Sequence, residues 1–403
     1  MSVHKGLPEG SALSENWCLD RDIVFLNHGS FGACPAEALV YREKLLRSAE
    51  KNPMEFLLEH HQPLLEKTIM ELETFTGAQS GSVVMVENAT TAVNTILENM
   101  DIDSSDTVLV TDQEYFSSAN ALETLAEHRG FNVKVVEMPW PVKSEKQILE
   151  RFQSAIDSSV RYALVDHVIS STGMVMPLES IITLLKQHGI ETMVDGAHGP
   201  GQLPLALEEM GCVAYAGNCH KWLCSPRSSA MLYVRPDFQR NFKPLVISHL
   251  PRRIASDLSD YQIMFRWNGT PDPTPELTIP FTMKLMASMD ENGWSGVMER
   301  NRNLAIKASE MICSSLGVEH PYPSAMVGSM AAVPLPGYSP DLSSEFNWID
   351  PLQRKLREEF GIVVPVTSTG FGSDRLVRLS AQLYNSFSQY EWLADALKKT
   401  LVS

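Results

Sequence analysis

Three stretches of this chain carry residues whose types and spacing could do chemistry together. The first is Gly217-Asn218-Cys219-His220-Lys221-Trp222. An ammonium group is costly to hold charged away from water. Burial therefore lowers its pKa and leaves a neutral amine, a nucleophile for an aldehyde carbon. A surface lysine whose stem packs on Trp222 is the ordinary alternative. The second stretch is Val194-Asp195-Gly196-Ala197-His198-Gly199. A carboxylate closing an apolar strand can pair with a protonated ring nitrogen and make that ring an electron sink. Gly196 and Gly199 would let a flat ring approach the backbone. A capping aspartate and a packed histidine fit the same residues. The third is Glu87-Asn88-Ala89-Thr90-Thr91, where free N–H groups and hydroxyls at a helix start can hold an anion. An unremarkable N-cap is the alternative there.

The combination is more specific than any one stretch. Asp195, Lys221 at 26 residues further on, and an upstream helix start would serve a ring nitrogen, an aldehyde carbon and a phosphate respectively. Those are the needs of pyridoxal 5′-phosphate (PLP). A metal site built from His28, His198 and His220 competes with this reading, but no HExxH or CxxC spacing supports it, and no metal is expected.

The elements that must position these residues alternate in type. Apolar runs predict strands at Ser82–Val86, Thr107–Thr111, Phe131–Val136, Tyr162–Val165, Thr192–Val194 and Met231–Val234, with helices near 90–98, 118–129 and 178–188. Ahead of them lie a short strand, Ile23–Leu26, and amphipathic helices over about 37–50 and 55–76. Such alternation implies a mostly parallel sheet, of the seven-stranded kind, covered by helices on both faces. Ligands bind at the carboxyl ends of the strands in such sheets. The Pro-rich stretch Gly269–Pro280 reads as a loop and domain boundary. The expected organisation is an N-terminal arm (1–30), a large α/β domain (31–275) and a smaller α+β domain (276–403).

Composition narrows the function classes. A chain of 403 residues, 44% hydrophobic and 20% charged, can bury large cores. Its net charge of −16 disfavours nucleic acid and anionic membrane as partners. No apolar run approaches the roughly 20 residues of a membrane span. The first residues lack the apolar centre of a signal peptide, so a cytoplasmic location is expected. Six cysteines without a CxxC pair do not suggest a disulfide framework.

Several longer motifs carry a resemblance: LNHGSFGACP at Leu26–Pro35, NATTAVNT at Asn88–Thr95, TDQEY at Thr111–Tyr115, DHVISSTG at Asp166–Gly173, VDGAHGPGQLPL at Val194–Leu205 and GNCHKWLCSP at Gly217–Pro226. The chain resembles the class V aminotransferase group of fold-type I PLP enzymes, and within it proteins like isopenicillin N epimerase. The resemblance implies a homodimer and a set of roles. Lys221 would form the Schiff base and move the Cα proton, Asp195 would hold the ring nitrogen, and His198 would bond the ring hydroxyl, near Ser170. Tyr115 would stack on the ring. Ala89, Thr90, Asn218 and His220 would bind the phosphate, with Thr270 reaching the neighbouring subunit's phosphate. Arg378, with Asn27, would take the substrate carboxylate. The group includes epimerases, carbon–sulfur lyases and desulfurases. The stretch Gly361–Arg378 has no cysteine, where a desulfurase would need one. Because the resemblance is nearest to the epimerases, it implies epimerisation of an amino acid, with C–S β-elimination as the alternative. Transamination, or a non-catalytic PLP or small-molecule binding role, follows behind.

Overall fold

The computed structural model describes residues 6–248, 258–336, 350–369 and 375–401. Twelve strands lie among these residues: β1 (Val24–Phe25), β2 (Val83–Val86), β3 (Thr107–Thr111), β4 (Asn132–Val136), β5 (Val160–Asp166), β6 (Glu191–Asp195), β7 (Ala214–Asn218), β8 (Ala230–Val234), β9 (Met330–Pro334), β10 (Ile362–Val363), β11 (Val366–Ser368) and β12 (Arg375–Ser380). Seven form one sheet in the order β2-β8-β7-β6-β5-β3-β4. Only β8 runs against its neighbours, β2 and β7. Strands β3, β7 and β8 are buried along their whole length, and β5 and β6 along most of theirs, which is why these strands are mostly apolar rather than alternating. Apolar clusters fill both faces of this sheet.

The expected α/β architecture is present, with differences in detail. Strand β7 was not among the six strands read from the sequence of the sheet. It ends in Gly217-Asn218, residues that weaken a strand signal, yet it lies fully buried between β6 and β8. A helix at Glu145–Ala155 also connects β4 and β5. The segment read as one helix from about 55 divides into Pro53–Glu55, a π-helical turn at Phe56–His60 and a helix at His61–Thr76. The Pro-rich stretch is not loop throughout. Helices start at Thr274 and Ile279, and their prolines, Pro275 and Pro280, occupy first-turn positions where no backbone N–H is needed.

A smaller antiparallel sheet, β11-β12-β9, packs against the helix Gly293–Leu316, which packs in turn against the helix Phe387–Leu401. The N-terminal segment is stitched to this C-terminal part. β1 pairs in parallel with β10, the Ser11 N–H donates to the Tyr384 carbonyl, and the Ser380 N–H donates to the Leu26 carbonyl. This brings the short helix His28–Phe31 over the segment that carries Lys221. Gly32 follows at φ 70, and a Cβ there would stand 2.0 Å from the His220 carbonyl oxygen. Only glycine permits both the left-handed turn and the close approach.

Candidate active site

The carboxyl ends of β3, β5, β6 and β7 meet at one edge of the large sheet, and each delivers a polar residue there. Register pairs Asp166 at the end of β5 with Asp195 at the end of β6. Asp195 is buried and accepts on both oxygens, from Ser118 Oγ at 2.6 Å and from the Ala197 N–H at 3.0 Å. Burial raises its pKa, while these two donors and Lys221 oppose the rise. Glu114, just after β3, brings a third carboxyl. One oxygen from each of Glu114, Asp166 and Asp195 lies within 4.8 Å of the others. Among the described residues, neither Glu114 oxygen nor Asp166 Oδ2, all three buried, has a hydrogen-bond partner. Burial, then the neighbouring carboxylates, push Glu114 well above the usual range; burial, then Asp195, do the same to Asp166. Three buried carboxyls, two of them with orphaned oxygens, suit a cationic N–H.

Lys221 follows β7 and is half-buried. Its Nζ lies 3.1 Å from His198 Nε2. Burial lowers its pKa to about 8, with Asp195 and Asp166 opposing and Arg378 assisting. This is the neutral-amine environment expected of a nucleophile towards an aldehyde. His198 is held on its other side by the Trp222 indole N–H, 3.3 Å from Nδ1. Burial and the surrounding cations keep its pKa well below the usual value.

Arg378, on β12, faces the same place from the small sheet. It is 4% exposed. Its Nη2 donates to Asn27 Oδ1 at 3.0 Å and Ser30 Oγ at 2.7 Å, and its Nη1 donates to the Ser170 carbonyl. Nε has no partner, and among the described residues no carboxylate pairs with this guanidinium. Burial lowers its pKa to about 10. Arg375, three residues earlier on the same strand, is instead engaged by Asp350 through Nε at 2.9 Å and Nη2 at 2.6 Å. Tyr115 is 41% exposed, and the charges of Asp195, Asp166 and Arg378 all act on its hydroxyl.

Several residues stand differently from expectation. Ala89 N–H, expected at a phosphate, is taken by Asn218 Oδ1 at 2.9 Å, and Thr91 N–H by the N-cap Asn88 at 2.8 Å. Thr90, exposed at the same helix start, keeps its hydroxyl near Ser117. His220 Nδ1 donates to the Ser229 carbonyl at 3.0 Å, and burial holds its pKa down to about 4. Its Nε2 therefore offers a lone pair rather than a proton. Ser170 contributes its carbonyl to Arg378. Gly196 and Gly199 make room for Tyr215, not for a flat ligand: Cβ atoms there would lie 2.0 and 1.8 Å from that side chain. Thr270 is exposed, in a loop whose neighbours Asn268 and Asp272 border a cavity of about 290 Å³ with Val86 and Glu87. His28, His198 and His220 do not converge as ligands. The His28 nitrogens face the Tyr384 hydroxyl and the Lys221 carbonyl, each at 3.0 Å.

Sequence reasoning missed Ser118, Glu114, Asp166 and Ser30. Two had a signal. Ser30 follows Asn27 by one helical turn, and Asp166 ends an apolar strand as Asp195 does.

Solved structures share this fold. The apo cysteine desulfurase of Thermococcus onnurineus NA1 matches with a TM-score of 0.77 at 16% identity, over 99% of this chain and 100% of its own. A C-DES mutant with glycine covalently linked to its PLP cofactor matches with a TM-score of 0.77 at 17% identity, over 94% and 96%. The fold is that of the fold-type I PLP-dependent enzymes. The chain belongs to the class-V aminotransferase family, whose family model matches residues 46–346, and PLP is its cofactor. Among curated relatives, the isopenicillin N epimerase of Amycolatopsis lactamdurans is 30% identical over 96% of this chain and 97% of its own length. The putative L-cysteine desulfhydrase 2 of Oryza sativa subsp. japonica is 29% identical over 94% and 85%.

The residues present fit PLP. The neutral amine of Lys221, the carboxyl group set around Asp195 and the helix start at Thr90 would hold its aldehyde, ring nitrogen and phosphate.

Proposed function

We propose that this enzyme takes an α-amino acid by its carboxylate at Arg378 and removes the Cα proton with Lys221. We further propose that the outcome the site favours is loss of a thiol-type substituent from Cβ. Bound at Lys221 and Asp195, PLP would supply an imine carbon and a pyridinium sink for the electron pair left at Cα. The protein's share is placement and proton handling. Arg378, fixed by Asn27, Ser30 and the Ser170 carbonyl, brings a positive charge and an unpaired Nε–H for a carboxylate. Lys221, neutral above about pH 8 in the free chain, is the base within reach.

The observation that carries the choice of outcome concerns the opposite-face acid that two-base epimerisation needs. His198 lies on the Lys221 side, 3.1 Å from Nζ. Cys219 is fully buried and its thiol is pushed up by burial. β-Elimination needs only one base at Cα. Epimerisation stays as the second reading because Tyr115, part-exposed beside Arg378, can present a phenol to the other face. Desulfhydrases and epimerases both stand among the relatives.

The test is product analysis with a panel of L-amino acids and S-substituted cysteines. Release of pyruvate and thiol supports elimination. Solvent deuterium entering Cα with racemisation and no pyruvate supports epimerisation instead. Borohydride reduction of the holoenzyme should fix the cofactor to the peptide containing Lys221, and Lys221→Ala should abolish both trapping and turnover. A label on another lysine would remove the basis of both readings.

A further inference from the structure

We propose that Trp222 is a positioning residue that holds His198 as its neutral Nε2–H tautomer, so that His198 is a hydrogen-bond donor towards the neutral Lys221 amine. The inference rests on the reading that Lys221 carries the cofactor, and deepens it.

The geometry is a relay of three side chains. Trp222 Nε1 lies 3.3 Å from His198 Nδ1, and His198 Nε2 lies 3.1 Å from Lys221 Nζ. An indole N–H can only donate. His198 Nδ1 must therefore present its lone pair, and the one ring proton sits on Nε2. An imidazolium would place N–H against N–H. In histidine sites the hydrogen bond at one nitrogen sets the state of the other.

Both rings are clamped. Trp222 is 1% exposed and His198 3% exposed. The His28 ring lies against Trp222 at a centroid distance of 4.9 Å and is itself fixed by Tyr384 and the Lys221 carbonyl. Gln202 holds the His198 carbonyl at 2.8 Å and is anchored by the Ser329 N–H at 2.8 Å. The groups facing His198 are Lys221, Arg378, His28 and His220, all of which oppose a second proton on it. Those facing Lys221 are Asp195 and Asp166, which favour its ammonium form, and Arg378, which opposes it. A donor at His198 Nε2 adds to the opposition, because it can bond only to neutral Lys221. Without the indole, the ring could turn over to the Nδ1–H tautomer, and Nε2 would accept from a lysine ammonium. Trp222 thus helps to keep the amine neutral and ready for an aldehyde. With the cofactor in place, the same Nε2–H would be available to an oxygen or nitrogen acceptor at the Lys221 end of the site.

Two measurements test this without turnover. In cofactor-free protein carrying ¹⁵N-histidine, His198, assigned by its loss in His198→Gln, should show only the Nε2–H tautomer at pH 9, where Lys221 is neutral. An Nδ1–H tautomer or an imidazolium in the wild-type chain at that pH would overturn the proposal, whatever the variants do. The second measurement is the pH dependence of PLP capture, followed by the visible absorption of the bound cofactor. Trp222→Phe keeps the packing on His28 but removes the donor. Its capture midpoint should rise by about one pH unit, a tenfold loss of neutral amine at pH values below the midpoint. In a His198→Gln background the side-chain amide cannot titrate, so Trp222→Phe should leave the midpoint in place. An equal shift in both backgrounds would mean that Trp222 acts by packing alone and would sink the relay. If PLP is captured at a lysine other than Lys221, the cofactor assignment fails, while the histidine spectra still decide the tautomer.

Discussion

The Ser118 hydroxyl donates to Asp195 Oδ2 at 2.6 Å, from the first turn of the helix Phe116–Arg129 to the end of β6. With the Ala197 N–H on Oδ1, this bond holds the Asp195 carboxylate in one orientation at the sheet edge. A carboxylate so fixed can keep a ring nitrogen protonated only if it stays ionised, and donors favour the ionised form.

Asp195→Ala should therefore lose most activity while the fold, judged by circular dichroism, survives. Ser118→Ala should act in the same direction but less. A hydrogen bond to a charged group is worth about 1.5–3 kcal/mol net, so kcat/KM should fall on the order of ten- to a hundredfold. Full activity of the Asp195→Ala enzyme would contradict the electron-sink role, and an unchanged Ser118→Ala enzyme would show that the orientation is held by other means.

The carboxyl cluster makes a pH-dependent prediction for stability. Glu114 has a folded-state pKa raised well above the unfolded one, by burial first and by Asp166 and Asp195 next. A group raised in this way favours the folded state below its unfolded pKa, and that contribution is lost as pH rises. Near neutral pH the folded chain must hold Glu114 protonated, or charged among like charges. Glu114→Gln should therefore raise the Tm of the cofactor-free protein at pH 8 and leave it nearly unchanged at pH 4, where the carboxyl is protonated in both states. A Tm that falls at pH 8 would mean that the Glu114 charge is being used.

Assembly is the third expectation. Phe31, Met54 and Leu58 are 72%, 68% and 67% exposed in the first part of the chain. Apolar side chains of this size on one stretch suit burial against a second copy. We propose a homodimer in which Thr270 reaches the neighbouring subunit. Sedimentation should give a dimer at assay concentrations, and inactive Lys221→Ala and Thr270→Ala chains should regain activity when mixed. A stable, active monomer would exclude this arrangement.

What could be read from the sequence follows from how local each signal is. Thr107–Thr111 reads as a strand because its three central residues, Val108, Leu109 and Val110, are apolar without interruption and β-branched threonines flank them. Ala214–Asn218 does not, since its terminal Gly217 and Asn218 are chosen by the site rather than by the sheet. Lys221 and Asp195 stand out because each is a polar residue in an apolar setting. Ser118, Glu114 and Asp166 become a group around Asp195 only when β3, β5 and β6 are laid side by side, and no spacing along the chain encodes that register. The same holds for Ser30 and Arg378, which meet because β1 pairs with β10 and draws the start of the chain onto the small sheet. Gly196 and Gly199 were legible as close approaches, but what approaches them is Tyr215 from the next strand.

Arg378 carries the last prediction, on how the substrate is held. A buried guanidinium without a carboxylate partner is costly, and its pKa is brought down to about 10 by that burial. Its neutral partners, Asn27, Ser30 and the Ser170 carbonyl, fix the plane of the group without cancelling its charge. Nε remains unpaired, so the site is prepared for an anion that arrives with the substrate. Arg375 cannot substitute, because Asp350 already holds it from two sides. Arg378→Lys keeps a positive charge but loses the planar fork and the bonds that set it. It should therefore lower kcat/KM, mostly through KM if the fork only binds, and through kcat as well if it also orients the Cα–H bond. Arg378→Ala should lower kcat/KM on the order of ten- to a hundredfold or more, the equivalent of about 1.5–3 kcal/mol. It should leave borohydride trapping at Lys221 intact, since the cofactor does not depend on it. Asn27→Ala should raise KM less, by freeing the guanidinium rather than removing it. An Arg378→Ala enzyme with unchanged kcat/KM towards a carboxylated amino acid, and lost selectivity nowhere, would show that the carboxylate binds elsewhere.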